Sequence, residues 1–367
     1  MLNLKKMVMK NIFEIINETN RMIGQGDFEH AAERFLEALK INPDFAWNAL
    51  WVQPWAFYTE LLPTFKEDFD KIHIRSKITC INTMIELGQN KEALATFIPK
   101  LESILPGDPL PLEMYARAHA ALGHFYCALR YVERIEAIMP DTSECFDEEY
   151  SGQVSPLQLF KLEALFELGD DDAFECLIGE MLSENPNQPD LYLHKSFWLR
   201  DRGKYREGLA ASETALKLRR SSTAFFQHGW FRRALGDPNA VADFRAFLEM
   251  PAADSEQDYY LPFIYCYLGR EKQARQSVMN YLAAYPDSYE SYYLCAEIFS
   301  LLGDIPMAME SLEQAFSRGL VSRAGLYADP ALQPVRKTVA GATLIRNHLR
   351  KLEDEDMKAA REMTHCF

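Results

Sequence analysis

Apolar residues recur along this chain at helical spacing and are interrupted at a regular interval by glycine. Gly26, Gly88, Gly123, Gly169, Gly203, Gly236, Gly269 and Gly303 each follow one apolar-periodic segment and precede another. Leucine stands directly before six of them (Leu87, Leu122, Leu168, Leu235, Leu268 and Leu302). The last five glycines are separated by 34, 33, 33 and 34 residues. A glycine between two helix-period segments marks a helix C-terminus, where a left-handed residue turns the chain. Five residues further on, a small side chain lets the paired helices approach: Ala31, Ala93, Ala128, Gly208, Ala274 and Ala308. Nine residues on, the position is apolar (Phe35, Phe97, Val132, Ile178, Val278, Leu312), and Pro43, Pro140, Pro186 and Pro286 stop the second helix. Asp27, Asp170, Asp237 and Asp304 directly follow their glycines and are expected to cap the next helix. The pattern predicts a helix, a tight turn and a second helix, repeated about every 34 residues.

The stretch from Met22 to Asp44 carries Gly26, Phe28, Ala31, Phe35, Ala38 and Pro43 in order, and Ala121 to Asp141 repeats much of it. In these residues the chain resembles the tetratricopeptide repeat family, over about residues 12–320. The resemblance implies an all-α fold, with tetratricopeptide-type helix-turn-helix repeats stacked in a right-handed superhelix (an α-solenoid). The expected organisation is an array of about nine helix pairs over residues 1–320, followed by capping helices over 321–367. Two departures interrupt the array. The pair at 44–73 lacks its turn glycine and has Pro54 and Pro63 instead, so it reads as degenerate and kinked. Residues 141–154 are an acidic insertion between repeats. Trp47, Trp51 and Trp55 either weld the degenerate pair to its neighbours or form an exposed patch.

Composition narrows the function. In 367 residues, 54 acidic against 39 basic side chains give a net charge of −15, a poor balance for neutralising nucleic-acid phosphates or anionic lipid. The seven cysteines are scattered without a CxxC pair, which suits a reducing compartment. No secretory signal and no membrane-spanning run is read, so a cytoplasmic location is expected. No HExxH, GxxxxGK or GxSxG motif occurs, no metal or other cofactor is expected, and the chain reads as a non-enzyme without a small-molecule substrate. Asp170, Asp171 and Asp172 fall at a helix start, where the dipole accounts for them.

Positions ten, six and three before each turn glycine share one helix face. In the resembled family that face lines the concave groove. Before Gly203, Gly236, Gly269 and Gly303 it presents Leu193, Phe197 and Arg200, then Phe226, Trp230 and Arg233, then Tyr259, Phe263 and Cys266 with Tyr267 adjacent, then Tyr293, Glu297 and Ser300. Earlier repeats carry the more polar set Glu113, Arg117 and Ala120, then Leu159, Glu163 and Phe166. Ile16, Asn20, Ile78 and Asn82 stand where chaperone-binding members carry a lysine and asparagine clamp, and the lysines are absent. The expected function is a protein-interaction module that holds a peptide or partner segment in the groove, with Arg200 and Arg233 fixing a carboxylate or backbone carbonyls. The alternative is a structural subunit that self-associates or docks by its convex face.

Overall fold

The computed structural model describes residues 2–50, 54–139, 155–250 and 255–364. Trp51, the acidic insertion at 141–154, Pro140 and Pro251 lie outside them. Among the described residues there is no strand. The chain separates into two compact units, Met1–Ala121 and Leu122–Phe367, a division that falls inside the repeat array.

The first unit contains α1 (Leu2–Gly24), α2 (Phe28–Ile41), α3 (Pro43–Asn48), α4 (Trp55–Glu67), α5 (Ile74–Glu86), α6 (Asn90–Glu92), α7 (Ile98–Ile104) and α8 (Pro109–Ala121). A π-helical turn, Ala93–Phe97, joins α6 to α7. The degenerate pair is α3 and α4, with Pro63 inside the second helix. Its aromatics build the core: Phe35 meets Trp47 edge-on at 4.9 Å and Phe57 at 5.5 Å. Trp47 also donates its indole N–H to Ser76, whereas Trp55 stays exposed.

The second unit contains α9 (Phe125–Ile138), α10 (Pro156–Leu168), α11 (Asp171–Glu184), α12 (Pro189–Asp201), α13 (Tyr205–Leu218), α14 (Ser222–Ala234), α15 (Ala240–Leu248), α16 (Ser255–Tyr267), α17 (Glu271–Ala284), α18 (Tyr289–Leu301) and α19 (Ile305–Ser317). These pair as first and second helices, so α12 packs on α13, α14 on α15, α16 on α17 and α18 on α19. The first helices also touch in series, α12 to α14 to α16 to α18. A closing segment follows: α20 (Arg323–Ala328), a 3-10 turn (Pro330–Leu332), α21 (Gln333–Arg336) and the long α22 (Val339–Thr364). Beyond its polar exposed face, α22 buries Ile345, Leu349 and Leu352.

Every turn glycine of the sequence pattern has positive φ, between 69° and 77°. The hydrogen bonds around them explain the requirement. The amide after the glycine reaches back to a carbonyl five residues earlier, as in Asp237 to Arg232 (2.8 Å) and Lys204 to Leu199 (2.9 Å), closing a Schellman turn. On α13 the small residue sets how closely the next pair's α14 can approach. At Gly208 even a methyl group would lie 2.3 Å from the Phe231 ring, so glycine alone fits there. The aspartates depart in part from expectation. Asp170 caps α11 through the Ala173 amide at 3.1 Å. Asp27 instead pairs with His30, and Asp304 with Arg275, because a cation within reach competes for the same carboxylate.

Candidate functional site

One face of each first helix in the second unit turns toward a common interior. From α10 come Leu162, Glu163 and Phe166; from α12, His194, Phe197, Arg200 and Asp201; from α14, Phe226 and Trp230. Helix α16 adds Tyr259, Tyr260, Phe263 and Tyr267, and α18 adds Tyr293 and Glu297. They surround a cavity of about 350 Å³. An adjoining cleft of about 540 Å³ shares His194, Phe197, Tyr259, Tyr260, Tyr293 and Ser322 with it, and extends to Arg219, Tyr281 and Tyr289.

The chain's own closing segment forms the rest of the wall, through Ser322, Gly325, Asp329 and Ala331. It is held at several points. Glu167 of α10 accepts hydrogen bonds from the Ser322 hydroxyl (2.9 Å) and from the amides of Arg323 (2.6 Å) and Ala324 (3.0 Å), at the start of α20. Such a carboxylate at a helix N-terminus satisfies amides that the helix itself leaves free. Arg323 is buried and donates to the Gly123 carbonyl (2.8 Å), the Leu352 carbonyl (3.3 Å) and Asp356 (2.9 Å). Ser300 of α18 donates to the Ala331 carbonyl at 2.7 Å. The segment therefore crosses from α18 back to α10 and closes the interior. Gly325 makes this approach feasible, since a methyl group there would stand 2.6 Å from the Tyr293 hydroxyl.

Phe197, Arg200, Phe226, Trp230, Tyr259, Phe263, Tyr267 and Tyr293 all line the cavity, and Arg233 does not. Arg233 is exposed, with its guanidinium 4.6 Å from the Tyr267 ring centre. Phe226, Trp230 and Phe263 are buried among other rings: Phe226 stacks on Tyr260 at 4.4 Å, and Trp230 meets Tyr205 edge-on at 5.5 Å. Phe197, Tyr259, Tyr260 and Tyr293 are half-buried.

Arg200, expected to hold a partner's carboxylate, is engaged by the chain itself. Its Nε donates to Asp201 at 3.0 Å, and its Nη2 lies 3.6 Å from Asp329. Its guanidinium sits 5.2 Å from the Phe197 ring centre and 5.9 Å from that of Trp230. Burial works against its charge, but Asp201 and Asp329 outweigh that cost and hold its pKa above the usual value.

Beside it, Glu297 is 3% exposed. It accepts a hydrogen bond from the Tyr259 hydroxyl at 3.4 Å and hydrogen-bonds Asp329. Burial, then the neighbouring Asp329 charge, pushes the Glu297 pKa well above the ordinary carboxyl range. Burial likewise raises the hydroxyl pKa values of Tyr259 and Tyr293, and lowers that of His194, keeping its ring neutral. The Tyr293 hydroxyl is buried and has no hydrogen-bond partner among the described residues.

Sequence reasoning did not select Glu297, Asp201, Asp329, Tyr260 or Glu167 for this site. Glu297 carried a signal, since it occupies the inner position six residues before Gly303. Asp329 and Glu167 carried none, because their roles arise only when the ends of the second unit meet.

No family model matches the sequence, and no curated protein matches it. Several solved structures resemble the fold at low sequence identity. One is MamA from Desulfovibrio magneticus RS-1, with 15% identity, 48% of this chain and 93% of that chain covered, and a TM-score of 0.39. Another is the Cut9-Hcn1 hetero-tetramer of the APC/C, with 14% identity, 92% and 68% covered, and a TM-score of 0.45. A third is a tetratricopeptide repeat protein from Parabacteroides merdae ATCC 43184, with 14% identity, 84% and 99% covered, and a TM-score of 0.48. The phased glycine motif and the helix pairs that realise it, turn by turn, give the chain the fold of a tetratricopeptide-type repeat protein.

Proposed function

We propose that the chain is a non-enzymatic interaction protein whose second unit receives a segment of a partner protein at the mouth of the aromatic cavity. The supporting observation is the space that the closing segment leaves unfilled: a cavity and cleft walled by half-buried tyrosine and phenylalanine rings from successive first helices. Rings of this kind act as rigid, preorganised anchors for a partner's side chain. Because residues 320–336 already cross the interior, the partner enters at the mouth and does not run along the whole inner face.

The residues to remove are Phe197 and Tyr260, which are half-buried. Trp230 is packed among the chain's own rings, and truncating it would damage the fold. Affinity capture with the native chain is compared with capture by the Phe197→Ala/Tyr260→Ala variant. The retained partner should fall at least about tenfold, as expected when anchor residues are truncated, while the circular dichroism spectrum is unchanged. Equal retention by a folded variant rejects the cavity mouth as the docking site.

A further inference from the structure

We propose that the cavity takes the ammonium or guanidinium group of a basic side chain on the partner segment, seated between the Glu297 carboxyl and the tyrosine rings beside it. This rests on the partner-binding reading and specifies its chemistry.

The cavity already holds one cation in this manner. Arg200 lies over two rings, with carboxylates at its edge. Cations gain from the electron-rich faces of aromatic rings, and more so when both are withdrawn from water. The remaining lining favours a second positive charge over any negative one. Four carboxyl groups face the cavity (Glu163, Asp201, Glu297 and Asp329) against a single guanidinium from Arg200. His194 is the other titratable base in the wall, and burial keeps it neutral. Arg336 approaches only through the carbonyls of Leu326 and Asp329. The Tyr293 hydroxyl contributes a buried polar atom that none of the described residues satisfies.

Charge balance determines how the site accepts its guest. The buried set comprises Arg200, Arg336, Asp201, Asp329 and Glu297. With both arginines and both aspartates charged, it is neutral while Glu297 keeps its proton. An incoming cation replaces that proton with another positive charge, so Glu297 ionises without leaving a buried charge unmatched. Entry of the cation therefore releases a proton. An anion would meet Asp201 and Asp329, and a neutral chain would gain only the rings. A metal ion is a poor occupant: among the described residues no three His, Cys, Asp or Glu side chains are grouped as a metal would need.

Titration calorimetry on the full chain uses pentylamine, 1-pentanol and pentanoate as probes, then two blocked pentapeptides that differ only in a central lysine or norleucine. Pentylamine should bind at least about tenfold more tightly than pentanol, and pentanoate should give no heat. The pentylamine enthalpy should change with the ionisation heat of the buffer, reporting a released proton. Glu297→Gln is shaped like the protonated acid; it should keep pentanol binding, weaken pentylamine about tenfold and remove the buffer dependence. The lysine peptide should outcompete the norleucine peptide. Equal affinity for amine and alcohol, or no binding of either, overturns the cation site. Binding of the free amine without the lysine peptide overturns a partner side chain as its source. The partner-binding reading fails by a different result, the unchanged capture by Phe197→Ala/Tyr260→Ala.

Discussion

The two units are built from the same repeat and use its inner positions differently. In the first, the counterpart residues form surface pairs: Arg117 bonds Asn82 and Glu86 at 2.9 Å each. The aromatic weight lies between helices instead, in Phe35, Trp47, Phe57 and Phe65. In the second, rings and ionisable groups meet in the interior, and a segment without repeat character seals them in. A repeat motif therefore fixes the helix pairing but not the chemistry of the inner face. That chemistry depends on which residues fill positions the motif leaves open, and on whether the chain's end returns across them.

The largest effect that separates the units is expected at Arg323. Replacing it with alanine leaves Asp356, which is 4% exposed, as an uncompensated buried charge together with two carbonyl groups. The loss should be about 3–5 kcal/mol. Hydrogen exchange should quicken through residues 122–364 while α2, α4 and α5 keep their protection. A uniform loss across both units would show that the closing segment does not act within the second unit alone.

A smaller effect concerns pH. Carboxyl groups whose pKa burial raises lie in the second unit: Glu163, Glu167, Asp201 and Glu297. A raised folded pKa means that the unfolded chain gives up its proton first. Stability therefore falls as pH climbs past the ordinary glutamate value near 4.5, and the fall ends only above the folded pKa. Glu297→Gln removes this contribution. Melting curves from pH 5 to pH 8 should decline less steeply for the variant, which should be the more stable of the two at pH 8. An unchanged slope would mean that Glu297 is ionised in the folded protein.

The smallest effect belongs to the first unit. Arg117 and Glu86 are 31% and 54% exposed, so their pair is screened by water. Arg117→Ala should cost only about 0.5 kcal/mol in urea unfolding. A loss several times larger would make the inner face of the first unit as demanding as that of the second.

Much of the fold was legible because its rules are local. A glycine forced to positive φ, and a small residue five positions later, report helix ends and helix separation within a few turns of chain. The aromatic stripe was legible for the same reason, as three positions per helix counted from each glycine. Its environment was not. Whether Phe226 meets solvent or Tyr260 depends on the rotation of two helices about their axes, which spacing alone does not fix. The closing segment was further out of reach. The bond between Ser322 and Glu167 spans 155 residues of sequence, and nothing in the run from Ala324 to Lys337 names its partner. Arg200 shows how this misleads: in sequence it stands as a free cation on an inner face, and in the structure Asp329 has already arrived from the far end of the chain.

The return of residues 320–336 to α10 has a bearing on how such a protein can change over evolutionary time. An open stack can gain or lose a terminal unit by duplication or deletion, because each layer depends only on its neighbours. A circuit whose last turn must land on Glu167 has a fixed circumference. One module more or fewer between α10 and α18 would carry Ser322 and Arg323 past their seats, leaving Glu167 without its donors and the Gly123 carbonyl without its guanidinium. The second unit is thus locked at its present number of layers, and novelty there must come from exchanging side chains in place.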